Sequence, residues 1–158
     1  MTGARPLTGR SVLELANWIT GPMTAQLLAQ LGADVTKVEA PGGDPFRQWP
    51  DGRPSPRFAT YSRGKRSAVL DLTTSDGREA VHRLMAGADI VVMALRPDAA
   101  AALGVDYASL GPINPSAIFC DLTGFGPEPP DGTPGGFETV VQATSGLLST
   151  LIDADAPA

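Results

Sequence analysis

The chain has 158 residues, 18 of them Gly and 15 Pro, and a formal charge of -5 from 12 Lys+Arg against 17 Asp+Glu. The length suits one domain spanning residues 1–158 and leaves no room for two. Hydrophobic content of 42% excludes a disordered chain, no apolar run approaches the ~20 residues of a membrane span, and the acidic balance disfavours nucleic acid.

One Cys and one His exclude an internal disulfide, a Cys-based structural zinc site and a two-His catalytic zinc site within one chain. Residues 1–10 hold two arginines but no apolar core of a secretory signal, so the cytoplasm is the expected location.

Residues 11–16 (SVLELA) read as a strand, and Thr20-Gly21-Pro22 then punctuates the chain. Pro22 suits the first turn of a helix. Met23, Leu27 and Leu31 recur every four residues, which predicts one buried apolar face, and Gly32 is a plausible stop. Residues 34–40 (DVTKVEA) read as a second strand, parallel to the first. Residues 41–66 break the rhythm with five prolines and four glycines. Their aromatic residues, Phe46, Trp49, Phe58 and Tyr61, predict an ordered excursion rather than a linker.

Residues 68–72 are the third expected strand, followed by a helix with Thr73 and Asp76 at capping-box spacing. Ala80, Val81, Leu84 and Met85 form its expected buried face, and Gly87 ends it. Residues 89–95 (DIVVMAL) are apolar enough for a central parallel strand. A short helix over 97–103, a turn over 107–113 and a fifth strand over 117–122 follow. After a Gly/Pro loop over 124–136, apolar residues at helical spacing predict one helix from Glu138 to about Leu151. The sum is an α/β fold, an open doubly wound, Rossmann-like, mostly parallel sheet of about five strands.

Ligands of such sheets bind beyond the carboxyl ends of the strands. That edge would hold residues 17–22, 40–44, 95–97 and 123–126. There is no dinucleotide fingerprint after the first strand, no P-loop and no nucleophile elbow. Arg63-Gly64-Lys65-Arg66 is the densest basic cluster; it reads either as a phosphate site or as a solvated loop. His82 is expected at the surface and Cys120 in the core. Glu138 opens a helix, where a carboxylate complements the helix dipole and can also act chemically.

Five segments, 7–47, 62–78, 88–107, 113–126 and 134–149, together resemble the family III CoA-transferases, the CaiB/BaiF group that includes the 2-methylacyl-CoA racemases. The match is collinear along nearly the whole chain. The resemblance implies an acyl-CoA and a carboxylate as substrates, no tightly bound cofactor, and an Asp nucleophile that attacks the thioester. It implies CoA over the carboxyl edge, with Trp18, Ile19, Gly21 and Pro22 along its pantetheine and thioester, and Arg63, Lys65 and Arg66 at its phosphates. It places Phe137 and Glu138 at the active site; Phe137 stands where the racemases have His, which argues against racemase chemistry.

The departures carry weight as well. The family usually has Asn at the position of Ser62, Glu-Asn-Phe at Met93-Ala94-Leu95, and often Arg at Ala102. Its catalytic Asp motif and second domain follow the matched region and are not in these 158 residues. Three readings result: a CoA-transferase-like half-enzyme in a homo- or hetero-oligomer, its Asp supplied by a partner chain such as a longer family member; a non-catalytic scaffold; or a repurposed activity using Glu138. No membrane or nucleic-acid partner is expected.

Overall fold

A strand followed by a covering helix returns to the same sheet as a parallel neighbour, and the alternation of short apolar runs with helices favours that outcome. The computed structural model describes residues 5–47, 53, 55–126 and 135–151. β1 (Ser11–Leu15), β2 (Asp34–Glu39), β3 (Arg66–Val69), β4 (Ile90–Met93) and β5 (Ile118–Asp121) form one sheet. All pairings are parallel, in the order β3-β2-β1-β4-β5. The expected strands are present within one to three residues of their expected ends, and β4 is interior.

The chain divides into two compact units, one ending at Leu122 and one beginning at Thr123. The sheet lies in the first, with α1 (Thr20–Gln30), α2 (Pro56–Ser62), α3 (Ser75–Ala86), α4 (Pro97–Leu103) and α5 (Tyr107–Leu110). Alternate strand residues face opposite sides. Leu13 and Leu15 join Val38, Val81, Met85, Val91 and Met93 in one core, and Val12 joins Ala25, Val35 and Val92 in the other. Full burial of each such Val contributes about 1.5–3 kcal/mol. No helix among the described residues is long and apolar enough to cross a membrane.

The face of α1 differs from expectation. Met23, Leu27 and Leu31 are 45%, 53% and 45% exposed, whereas Gly21, Pro22, Ala25 and Gln26 are buried. Residues 21 and 25 lie about half a helical turn from 23 and 27. The small residues let the helix axis approach the sheet, and the long side chains are turned outward.

The described residues of the segment 41–66 include two short helical elements. Pro45–Arg47 forms a 3-10 turn, and α2 is capped by Ser55, whose Oγ accepts from the Phe58 amide at 3.3 Å; Trp49 lies outside the described residues. α3 is capped by Thr74 rather than Thr73: Thr74 Oγ1 accepts from the Gly77 amide at 3.1 Å, while the Thr73 hydroxyl donates to Asp71 at 2.6 Å. Val81 and Met85 are fully buried as expected. His82 is half-buried, with Nε2 3.4 Å from the Gly104 carbonyl, and Cys120 is half-buried because β5 is an edge strand.

In the second unit the expected single helix is two, α6 (Glu138–Thr144) and α7 (Leu147–Leu151). Gly146, at φ +78°, breaks the run in the left-handed region that other residues avoid.

Candidate functional site

The sheet order reverses direction at β1, between the β1–α1 and β4–α4 connections, the kind of switch point at which open α/β sheets form a ligand crevice at the carboxyl edge. Gly21, in the first turn of α1, closes its base. A Cβ there would lie 2.2 Å from Ala16 Cβ and 3.0 Å from Ala94 Cβ. Only a residue without a side chain lets α1 start so close to both strands.

The β1–α1 turn presents Trp18 and Ile19 half-exposed above this point. Trp18 has φ +68°, a left-handed conformation that costs a non-glycine residue about 1 kcal/mol or more. Its ring meets Phe46 edge to face at 5.3 Å between centroids. The start of α1 has no side-chain cap and no acidic residue in its first turn, which leaves its positive dipole end uncompensated by carboxylates.

Beneath the turn lies a buried charge cluster. Lys37 Nζ donates to Glu14 Oε1 at 2.9 Å and to the Ala16 carbonyl at 2.6 Å, and pairs with Asp44 Oδ2 at 2.8 Å. Lys65 Nζ donates to Glu14 Oε2 at 2.6 Å and to the Pro22 carbonyl at 2.7 Å. Two ammonium groups thus face two carboxylates, with almost no water contact. Burial pushes the Lys65 ammonium down, with Glu14 acting in the opposite sense.

Asp44 links this cluster to a second one. Its amide donates to Glu39 Oε2 at 2.9 Å, and Glu39 also accepts from the Arg47 guanidinium and the Ser67 hydroxyl. Burial alone would raise the Glu39 carboxyl, but the donors from Arg47, Ser67 and Asp44 prevail and hold it at about 2, against an ordinary 4.5. On β5, Asp121 ends the strand with its carboxyl pushed up by partial burial.

The structure brings together Trp18, Ile19, Gly21, Pro22 and Lys65, but Lys65 plays a different part from the expected one. Its side chain is 1% exposed and its ammonium faces Glu14 and Pro22, not an outside phosphate. Arg63, at the end of α2, is exposed and makes no ion pair among the described residues. Arg66 does not reach the turn. It opens β3, and its guanidinium lies 4.0 Å from Asp34 at the amino end of β2. There it lines a surface hollow of about 260 Å³ with Ser11 and Arg83, on the opposite edge of the sheet.

Phe137 and Glu138 belong to the second unit. Phe137 precedes α6, 58% exposed. Glu138 opens α6 and accepts from Gln142 Nε2 at 2.7 Å. The buried Glu14, Lys37 and Asp44 were missed from sequence. The available signal was Glu14 between leucines in β1 and Lys37 and Glu39 two positions apart in β2; Asp44, in the loop after β2, had none.

The sequence profile of CoA-transferase family III matches residues 7–158. The chain belongs to that family. It is 42% identical over 154 residues to succinate–glutarate CoA-transferase of Agrobacterium fabrum, covering 91% of this chain and 38% of the relative. It is 33% identical to human succinyl-CoA:glutarate CoA-transferase, covering 94% and 35%. Among solved structures, a CaiB/BaiF family protein from Brucella suis superimposes with a TM-score of 0.85 at 39% identity, covering 98% of this chain and 43% of that one. A structure of a Mycobacterium tuberculosis protein gives 0.87 at 36%, covering 98% and 44%. The chain therefore spans about two fifths of the length of these family members. The α/β fold expected from sequence is the fold of the matched part of the family III structures.

Proposed function

We propose that the chain provides the CoA-binding half of a family III CoA-transferase, acting on acyl-CoA and carboxylate substrates with a partner chain that supplies the attacking Asp. The observation that carries this is the β1–α1 turn at the switch point of the sheet, where Gly21 packs against Ala16 and Ala94 and leaves backbone and an apolar rim open to a ligand. In this reading Trp18 and Ile19 flank the pantetheine arm, Gly21 and Pro22 let the thioester end approach the backbone, and Arg63 meets the phosphates. The partner's carboxylate attacks the thioester carbonyl, forms a mixed anhydride and releases the CoA thiolate. The succinate–glutarate and succinyl-CoA:glutarate transferases among the relatives make succinyl-CoA a suitable first probe.

Calorimetry tests this reading with CoA and succinyl-CoA, on the chain alone and co-expressed with a longer family member. Saturable binding, and CoA exchange only in the mixed sample, are expected. No binding in either sample overturns the reading.

A scaffold reading has one observation in its favour. Ala94 brings only a methyl group to the crevice, at a position where the family usually has Asn. CoA binding without exchange in the mixed sample would select it.

A further inference from the structure

We infer that Glu14, Lys37, Asp44 and Lys65 form a positioning device for the β1–α1 turn, in which Lys37 holds the Ala16 carbonyl at one end and Lys65 holds the Pro22 carbonyl at the other. The ligand named for that turn rests on the CoA reading above; the positioning itself does not.

Each ammonium makes the same pair of contacts, one to Glu14 and one to a backbone carbonyl that brackets residues 17–21. Glu14 spends one oxygen on each lysine, so both ends of the turn are referred to a single side chain in the middle of the sheet. Asp44 completes the neutrality of the group.

Stability alone gives little reason for such a cluster. Burying paired charges often contributes no more than an apolar replacement would, and its attested value lies in specifying one conformation. The conformation here is unusual. Trp18 is the described non-glycine residue at positive φ, and a strained residue persists only where its surroundings over-determine it. Two carbonyl clamps reaching from β2 and from the α2–β3 connection supply that constraint. Lys65 spans 43 positions of sequence to do so.

These four are positioning residues; none is exposed to a ligand. The test uses a Trp49→Phe background, which leaves Trp18 as the one tryptophan of the chain. Glu14→Gln combined with Lys65→Met removes one charge of each sign, so the interior stays neutral while the hold on Pro22 is lost. With the far-ultraviolet dichroism retained, acrylamide quenching of Trp18 should rise about threefold, and the Kd for CoA should weaken about tenfold as the turn loses its preorganisation. A folded variant with unchanged quenching overturns the inference. Where the double variant fails to fold, Lys65→Gln, which shortens the donor, is read in the same way and by the same criterion. If the parent protein binds no CoA, the CoA reading fails, and the Trp18 quenching still decides the role of the cluster.

Discussion

Arg47 clasps the carboxylate of Glu39 with two donors, Nε to Oε2 at 2.5 Å and Nη2 to Oε1 at 2.6 Å. The pair closes the loop that follows β2, and the Glu39 side chain is fully buried while Arg47 reaches solvent. Ser67 on β3 donates to the same carboxylate at 2.6 Å. One acid therefore ties the β2 end, its following turn and the edge strand.

The titration of Glu39 follows from that geometry. Its carboxyl sits at about 2 in the folded chain, against 4.5 as the ordinary value. A depressed folded pKa contributes stability that is complete above the unfolded value and is lost as pH falls from about 4.5 toward 2. Between pH 7 and pH 3 the loss from this group is about 2 kcal/mol. Urea unfolding at the two pH values should show that loss in the parent and a smaller one, by about 2 kcal/mol, in Glu39→Gln. Equal losses would show that Glu39 does not hold the acid limb.

The contact at the crevice base gives a steric prediction. Gly21→Ala places a methyl 2.2 Å from Ala16 Cβ, which is fixed to the backbone and cannot swing away. We expect about 1–3 kcal/mol of destabilisation, as for other overpacked sites. Ala16→Gly in the Gly21→Ala chain should recover part of it, because the two positions share one contact. Thermal unfolding of the two single variants and the double checks this. Additive effects would place the clash elsewhere.

Trp18 supplies a comparison that inverts the usual order. In an ordinary helix or strand Gly is less favourable than Ala. At φ +68° the strain applies to Ala as much as to Trp. Trp18→Ala keeps the strain and loses the contact with Phe46; Trp18→Gly loses the contact and relieves the strain. We expect Trp18→Gly to be more stable than Trp18→Ala by about 1 kcal/mol, read from denaturant midpoints. The reverse order would mean that the turn does not hold residue 18 in the left-handed region.

Much of this fold was legible because parallel strands here are short, apolar and separated by helices, so βαβ logic fixed the layers without any contact information. The runs IVVM and SVLEL needed only their short, apolar, β-branched or leucine-rich composition. What the pattern hid were the places where size outweighs hydrophobicity. Met23, Leu27 and Leu31 have the spacing of a core stripe, yet Gly21 and Ala25 face the sheet because closeness favoured small residues. The break at Gly146 depends on one backbone angle that apolar spacing does not report. In the candidate site, the turn at 17–22 was readable from its position after the first strand. Lys65 was readable as a cation but not as a buried one, since its partner Glu14 lies 51 positions away.

The basic cluster yields the sharpest separation of roles. Arg63, Lys65 and Arg66 are neighbours in sequence and point to three different places: solvent at the end of α2, the interior beneath Pro22, and Asp34 at the amino edge. If CoA lies over the carboxyl edge, an exposed guanidinium at 63 gains a phosphate, whereas the one at 66 starts on the wrong side of the sheet. Arg63→Ala should weaken CoA binding about five- to tenfold, the worth of one exposed charge-assisted contact. The loss should shrink as salt rises, because screening acts on exposed charges. Arg66→Ala should leave the Kd within about twofold, by the same reasoning on distance and screening. Calorimetry at two salt concentrations measures both. A larger loss at position 66 than at 63 would move the phosphates to the other edge and remove the β1–α1 turn from the site.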